Sequence, residues 1–196
     1  LFLVPSISLL SQTLREWATE AEVPLASLAV CSDRKATARS KATNEDISAV
    51  DLALPSTTNA AVLESRWTQA VGEADSMTVI FATYQSIDVV AQAQSQGGLP
   101  AFDLIVCDEA HRTTGTTLAG ENESAFVRIH DPAYIRGDKR LYMTATPRIY
   151  DDASKAKAGE ASAVLASMDN EDLFGEELHR LGFGEAVAQD LLADYK

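Results

Sequence analysis

The sequence is poor in several features that direct a chain to particular classes of protein. Its 196 residues include only two cysteines, Cys31 and Cys107, each near the end of an apolar run. Buried free thiols in a reducing cytoplasm are therefore expected, rather than a disulfide scaffold. No stretch approaches the roughly 20 apolar residues that cross a membrane, and no basic leader with a small-residue cleavage site is present. We expect a soluble cytoplasmic protein without a membrane partner.

Positive charge is also scarce. Sixteen Lys and Arg stand against 29 Asp and Glu, which gives a formal net charge of −13. This balance opposes a general affinity for nucleic acid, because phosphate binding needs local positive charge. The acidic residues are unevenly spread, since residues 151–196 hold eleven Asp and Glu against four Lys and Arg. The sign of the whole chain therefore does not decide what one face of it binds.

Short apolar runs alternate with helical patterns along the chain, which predicts a parallel sheet with helices on its faces, an α/β fold. The predicted strands are 1–4, 27–31, 78–82, 104–107 and 140–143. Predicted helices cover 6–21, the region around 63–71 after a cap at Thr57 or Thr58, a segment after Ser86, and 123–130. Residues 32–56 and 113–122 lack periodicity and are predicted to be exposed loops.

An acidic motif, Asp108-Glu109-Ala110-His111, follows the predicted strand at 104–107 directly. In parallel sheets this end of the strands is where ligands bind. Mg²⁺ is usually held by one or two carboxylates together with substrate phosphates, so the motif favours a site for a magnesium-bound nucleotide. The alternative is that the acidic pair only ends a strand and caps the next turn.

A second motif, Thr144-Ala145-Thr146-Pro147, follows the predicted strand at 140–143 in the same way. The hydroxyls of Thr144 and Thr146 can bond carboxylates and the His111 imidazole across the sheet. The alternative is an ordinary junction between strand and turn, with Pro147 as the stop.

Two further segments, residues 4–6 and 82–86, place hydroxyls and backbone amides where a strand turns into a helix. A helix N-terminus binds anions, so a nucleic-acid phosphate could lie there without any base being read. N-capping by Ser6 and Ser86 is the simpler interpretation, and both can hold. The candidate contacts with nucleic acid are Pro5, Ser6, Thr83, Tyr84, Gln85 and Ser86.

Taken together, these segments resemble the motifs of superfamily 2 helicases of the DEAH-box kind, and the chain resembles their first RecA-like lobe. It is most similar to the motors of ATP-dependent restriction enzymes of Types I and III, and above all to the Type ISP group of bacterial "predicted helicases". The stretches that carry this narrower resemblance are 1–6, 30–33, 83–86, 129–132 and 140–150.

The resemblance implies a RecA-like sheet of the P-loop NTPase type, with ATP and Mg²⁺ as cofactors. It implies that Asp108 holds the Mg²⁺ through water and that Glu109 is the base that activates the attacking water. His111 and Arg112 would relay the nucleotide state to the neighbouring strand. Thr144 and Thr146 would couple hydrolysis to movement between two lobes.

One departure from the family pattern is the absence of a Gly-rich loop ending in Gly-Lys-Ser or Gly-Lys-Thr, which cradles the phosphates. We therefore expect an excised, incomplete lobe in residues 1–150 and an acidic connector toward an absent second lobe in residues 151–196. Such a chain alone should bind ATP poorly and not turn it over. The absent strand should neighbour the Thr144 strand, leaving an edge that invites self-association.

The expected function is that of an ATP-dependent DNA helicase or translocase of a restriction-modification enzyme. DNA, or alternatively RNA, would be gripped through its phosphates, and the second lobe of the same protein would complete the motor. One alternative is a non-catalytic docking module for nucleic acid or protein. A different magnesium-dependent phosphohydrolase ranks last, because it would not need both the Thr-Ala-Thr-Pro and the Thr-Tyr-Gln-Ser segments.

Overall fold

The computed structural model describes residues 1–32, 55–71, 76–118, 126–160 and 163–193. The strands in these ranges are β1 (Phe2–Val4), β2 (Leu25–Val30), β3 (Ser56–Thr57), β4 (Met77–Thr83), β5 (Phe102–Cys107), β6 (Gly115–Leu118), β7 (Gly137–Tyr142) and β8 (Ala163–Ala166). The α-helices are α1 (Ile7–Glu20), α2 (Ala60–Ala70), α3 (Ile87–Gln96), α4 (Asp152–Glu160), α5 (Glu171–Phe174) and α6 (Phe183–Ala188).

Six strands form one sheet in the order β3-β2-β4-β1-β5-β7. Every pairing between them is parallel. The predicted parallel α/β sheet is thus confirmed, and each of the five predicted strands lies within two or three residues of its predicted bounds. Because β1 lies between β4 and β5, the segments that follow these three strands meet at one edge of the sheet.

Both faces of the sheet are covered by apolar side chains. Successive residues of a strand point to opposite faces, so Phe2 and Val4 pack with Leu10 and Leu14 of α1. Leu3 belongs to the cluster on the other face, which includes side chains of α2 and α3. This double coverage explains why the central strands β1 and β4 are almost continuously apolar in sequence.

Ser6 caps α1 as predicted, since its hydroxyl accepts a hydrogen bond from the Leu9 amide at 3.3 Å. The predicted cap of α2 at Thr57 or Thr58 is wrong. Asn59 is the cap, and its side chain accepts from the first free amides of the helix. Thr57 instead lies in β3, where its hydroxyl accepts from the Asn59 amide at 3.1 Å.

The helix predicted after Ser86 is confirmed as α3, but Ser86 makes no side-chain bond to it. Its hydroxyl accepts a hydrogen bond from the Thr83 hydroxyl at 3.1 Å instead. A 3₁₀ turn at Tyr84–Ser86 precedes α3 and supplies its first amides with partners, so a serine cap is not needed.

The loop predicted at 113–122 is partly wrong, because β6 lies within it and pairs antiparallel with β8. Its strand partner is far away in sequence, and local composition does not reveal such a pairing. Residues 119–122 lie outside the described ranges, as do 33–54 of the other predicted loop and 123–125 of the predicted helix at 123–130. The described end of that helix is a single 3₁₀ turn, Arg128–His130.

The C-terminal segment packs against the main sheet at one end. Phe174 of α5 lies with its ring centroid 4.9 Å from that of Tyr142 in β7. Strand β7 is the last strand of the sheet on its side among the described residues; self-association through this edge stays a prediction. Within the ranges given above, no helix has the length and apolar character needed to cross a membrane.

Candidate functional site

The acidic motif lies directly after β5, at the carboxyl edge of the sheet. The Asp108 amide donates to the Leu3 carbonyl at 2.9 Å, which fixes it to the neighbouring strand β1. Glu109 has φ 51° and ψ 44°, and its amide donates to Asp108 Oδ1 at 2.9 Å. This left-handed conformation is uncommon for a residue other than glycine. Such backbone outliers cluster at functional sites, where the surrounding structure holds them.

His111 joins the two sequence motifs. Its Nδ1 lies 3.0 Å from the Thr144 hydroxyl, 3.2 Å from Glu109 Oε2 and 3.4 Å from the Thr146 hydroxyl. The Thr146 amide also donates to the Thr144 hydroxyl at 3.1 Å. The predicted residues Glu109, His111, Thr144 and Thr146 therefore form one cluster of close polar contacts next to Asp108.

The backbone explains why this cluster forms. The Ala110 amide donates to the Met143 carbonyl at 2.9 Å, and the Met143 amide donates to the Cys107 carbonyl at 2.9 Å. The turn after β5 is thus fastened to the chain that leaves β7. The side chains of Glu109 and His111 remain 37% and 29% exposed, so a ligand can reach them.

The carboxylates of Asp108 and Glu109 suit a magnesium site that is completed by water and phosphate, and not a site made only of protein ligands. Across the described ranges, no group of three or more His, Cys, Asp or Glu side chains could hold a metal ion. Mg²⁺ keeps several waters and takes phosphate oxygens from its substrate, so one or two carboxylates are enough for it. Asp108 at an accessible edge fits this arrangement, whereas a closed site made only of protein ligands is not formed.

The two predicted contact segments for nucleic acid lie side by side at this same edge. Val4 pairs with Thr83 in the sheet, so the turns after β1 and β4 are neighbours. The Gln85 side chain donates to the Pro5 carbonyl at 3.3 Å and joins the two turns. Gln85 is exposed, Ser6 is half-buried and Pro5 is buried.

For three residues the structure does not support the predicted contact with nucleic acid. Tyr84, Ser86 and Thr83 are only 0%, 3% and 4% exposed. Their hydroxyls bond within the protein: Thr83 donates to Ser86, and Tyr84 donates to the Asp108 carbonyl at 2.9 Å. Among the predicted contacts, the Ser6 and Gln85 side chains and the backbone amides are therefore the more accessible groups, and contact with nucleic acid stays a prediction for all six residues.

His130 lies near the site, and no role for it was predicted from the sequence. Its Nε2 lies 3.1 Å from the Thr113 carbonyl and its Nδ1 lies 3.0 Å from the Tyr142 hydroxyl. A carbonyl only accepts, so Nε2 carries the proton and Nδ1 accepts from Tyr142. The ring also packs against Phe174 at 4.7 Å between centroids. His130 therefore holds together the end of the acidic turn, strand β7 and the C-terminal segment.

Burial lowers the pKa of His130 below its ordinary value, and the nearby positive charge of Arg140 lowers it further. In the unfolded chain a histidine takes up a proton near pH 6.5. As the pH falls through that value, the unfolded state binds more protons than the folded state, so the free energy of unfolding decreases.

We expect the decrease in the free energy of unfolding between pH 7.5 and pH 5.5 to be smaller in His130→Gln than in wild type, by up to about 1 kcal/mol. Urea unfolding of wild type and variant at both pH values measures it; equal decreases would contradict it.

The cysteines play no part in this chemistry. Burial raises the pKa of Cys107 to about 12, so the thiol beside Asp108 stays protonated and unreactive at neutral pH. Cys31 is also buried and not in a disulfide. Both observations confirm the expectation that the two cysteines are buried and outside a disulfide.

Known proteins similar to this chain agree with the resemblance drawn from its motifs. Residues 1–149 match the family described as "Type III restriction enzyme, res subunit". A nuclease-deletion mutant of the Type ISP restriction-modification enzyme LlaGI, in complex with a DNA substrate mimic, is 41% identical with a TM-score of 0.71. That match covers 100% of this chain and 14% of that chain. No curated protein matches the sequence.

The ATP-dependent Type ISP restriction-modification enzyme LlaBIII bound to DNA is 42% identical, with a TM-score of 0.74. The match covers 100% of this chain and 12% of that chain. The chain thus spans a small part of the length of both enzymes. Its parallel sheet with flanking helices is the RecA-like fold that the sequence predicted for a first helicase lobe. The chain belongs to the family of Type III restriction enzyme res subunits.

Proposed function

We propose that the protein containing this chain is an ATP-dependent DNA translocase of a restriction-modification system, and that this chain is part of its first motor lobe. One observation supports the proposal most strongly. The cluster of Glu109, His111, Thr144 and Thr146 lies beside Asp108 at the carboxyl edge of the sheet. The similar Type ISP enzymes, one described as ATP-dependent and both in complexes with DNA or its mimic, support it further.

The residues of the chain have distinct roles in this proposal. Bound Mg²⁺ and ATP would supply the phosphoryl group and the charge that stabilises its transfer. Asp108 would hold the Mg²⁺ through water, and Glu109 would orient and deprotonate the attacking water. His111, through its contacts with Glu109 and with both threonines, would keep the Glu109 carboxylate in position.

The same edge offers a place for the phosphates of DNA. Helix α1 has 14 residues and is capped by Ser6, and Gln85 is exposed on the neighbouring turn. Helix amides bind phosphate without reading the bases, which suits an enzyme that moves along DNA. This contact is local, so it is compatible with a net charge of −13 for the whole chain.

Residues 151–196 would form the connector between this lobe and a second one. Strand β8 pairs with β6, and Phe174 packs on His130 and Tyr142. These contacts support that assignment, because β8 lies against β6, the strand that follows the acidic motif. Movement of a second lobe would therefore reach the site through β6 and through His130.

The test is ATP hydrolysis by the full-length protein, measured without nucleic acid, with duplex DNA and with duplex RNA. We expect stimulation by DNA, and displacement of a triplex-forming oligonucleotide from linear DNA as the sign of movement. Binding of DNA without any ATP hydrolysis would contradict the motor and favour the docking module. Stimulation by RNA alone would contradict DNA as the track.

A further inference from the structure

Tyr84 joins two strand ends that are not neighbours in the sheet. It follows β4, whereas Asp108 follows β5, and β1 lies between those strands. Neighbouring strands are about 4.8 Å apart, so the two ends are separated by about 10 Å, beyond the reach of a backbone hydrogen bond. The long Tyr84 side chain spans this distance, and its hydroxyl donates to the Asp108 carbonyl at 2.9 Å.

The ring of Tyr84 is held firmly along this path. It is 0% exposed and belongs to the core cluster that also contains Ala110 and Ile87. It stacks on Phe126, with ring centroids 5.0 Å apart and an angle of 29° between the planes. Interiors are packed as densely as organic crystals, so a displacement of the turn that carries Tyr84 is transmitted rather than absorbed.

Tyr84 is connected to candidate functional groups both through its backbone and through its hydroxyl. On one side, Tyr84 is followed by Gln85, which is exposed and donates to the Pro5 carbonyl of the adjacent turn. On the other side, the Asp108 carboxylate accepts from the amide of Glu109, which has the left-handed backbone. A shift of the Asp108 backbone therefore changes the placement of both carboxylates.

We propose that Tyr84 is a positioning residue that transmits the engagement of DNA at the turn of residues 83–86 to Asp108 and Glu109. The inference rests on the proposed function, since it needs a protein whose ATP hydrolysis responds to DNA. It differs from a contact with nucleic acid, because Tyr84 touches only protein.

The test compares Tyr84→Phe with wild type in the full-length protein. This substitution removes one oxygen and keeps the ring and its stacking on Phe126. The measured quantity is the ratio of the ATP hydrolysis rate with DNA to the rate without it. We expect this ratio to fall about three- to tenfold, the range for the loss of one hydrogen bond between neutral groups, with the Kd for DNA changed less than about twofold. Tyr134→Phe is the matched control, since it removes a hydroxyl bonded to the exposed Asp88, and its ratio should equal that of wild type.

A second readout does not depend on catalysis. Hydrogen exchange at the amides of residues 108–113 should change when DNA binds to wild type and change much less in Tyr84→Phe. A Tyr84→Phe ratio equal to that of wild type would overturn the proposal and leave the motor function intact. This includes the case in which the rates with and without DNA fall by the same factor. A wild-type protein that binds DNA and hydrolyses no ATP would overturn the motor function itself.

Discussion

Replacing Glu109 by glutamine should lower the rate of ATP hydrolysis about 10²- to 10⁴-fold, the contribution of a general base to a proton transfer. The amide has nearly the same shape as the carboxylate but cannot take a proton from water. Glu109 is suited to that role because its side chain is 37% exposed at the edge of the sheet and lies 3.2 Å from His111 Nδ1. The measurement is steady-state ATP hydrolysis by the full-length protein with saturating DNA.

The matched control is Glu177→Gln, which makes the same chemical change at an exposed residue that lies 3.4 Å from Arg180. It should hydrolyse ATP at the wild-type rate. ATP binding by Glu109→Gln should persist, because the proposed partner of Glu109 is the attacking water and not the nucleotide. A Glu109→Gln protein that retains more than a tenth of the wild-type rate would show that another group activates the water.

The free energy of unfolding should fall by about 3–5 kcal/mol in Phe81→Ala, as for other deletions of a buried aromatic ring. Phe81 is 0% exposed in β4. Its ring packs against those of Phe2 and Trp17, with centroids 5.8 Å and 5.7 Å away. The deletion leaves a cavity between the sheet and α1 that these rings cannot fill. Against a typical domain stability of roughly 5–15 kcal/mol, this loss is large.

Hydrogen exchange of the amides in β4 measures this loss locally, even inside a larger protein. Phe183→Ala is the control, because that ring is 52% exposed and the same truncation removes less buried area. Its effect on exchange in β4 should be much smaller than that of Phe81→Ala. Similar losses for both variants would mean that the packing between α1 and the sheet does not dominate the stability of this lobe.

Most of the main sheet was predictable because its signals are local. Runs of apolar residues that are buried on both faces, separated by amphipathic segments, specify parallel strands with helices between them. The acidic motif and the threonine motif each follow such a run, so their position at the carboxyl edge also follows from the sequence. The structure adds that Ala110 and Met143 fasten these two motifs together through the backbone.

Other features depend on which distant segments meet, and local patterns do not contain that information. The pairing of β6 with β8 joins residues 115–118 to residues 163–166, and neither segment shows it in its own composition. The role of Ser86 differs for a local reason, because its hydroxyl accepts a hydrogen bond from the Thr83 hydroxyl three residues earlier. The partners of His130 come from three separate parts of the chain.

By itself, the sequence determined the α/β class, the chemical types at the site and the kinship with restriction-enzyme motors, because these rest on short patterns of apolar, acidic and hydroxyl residues. The tertiary structure decided which side chains are exposed at the edge of the sheet and which are buried in the protein. Tyr84 shows the difference most clearly. Its sequence context suggests a contact with nucleic acid, yet the strand order β4-β1-β5 buries it and directs its hydroxyl to Asp108. Burial and strand order are properties of the whole fold, since they arise from contacts between residues far apart in the chain.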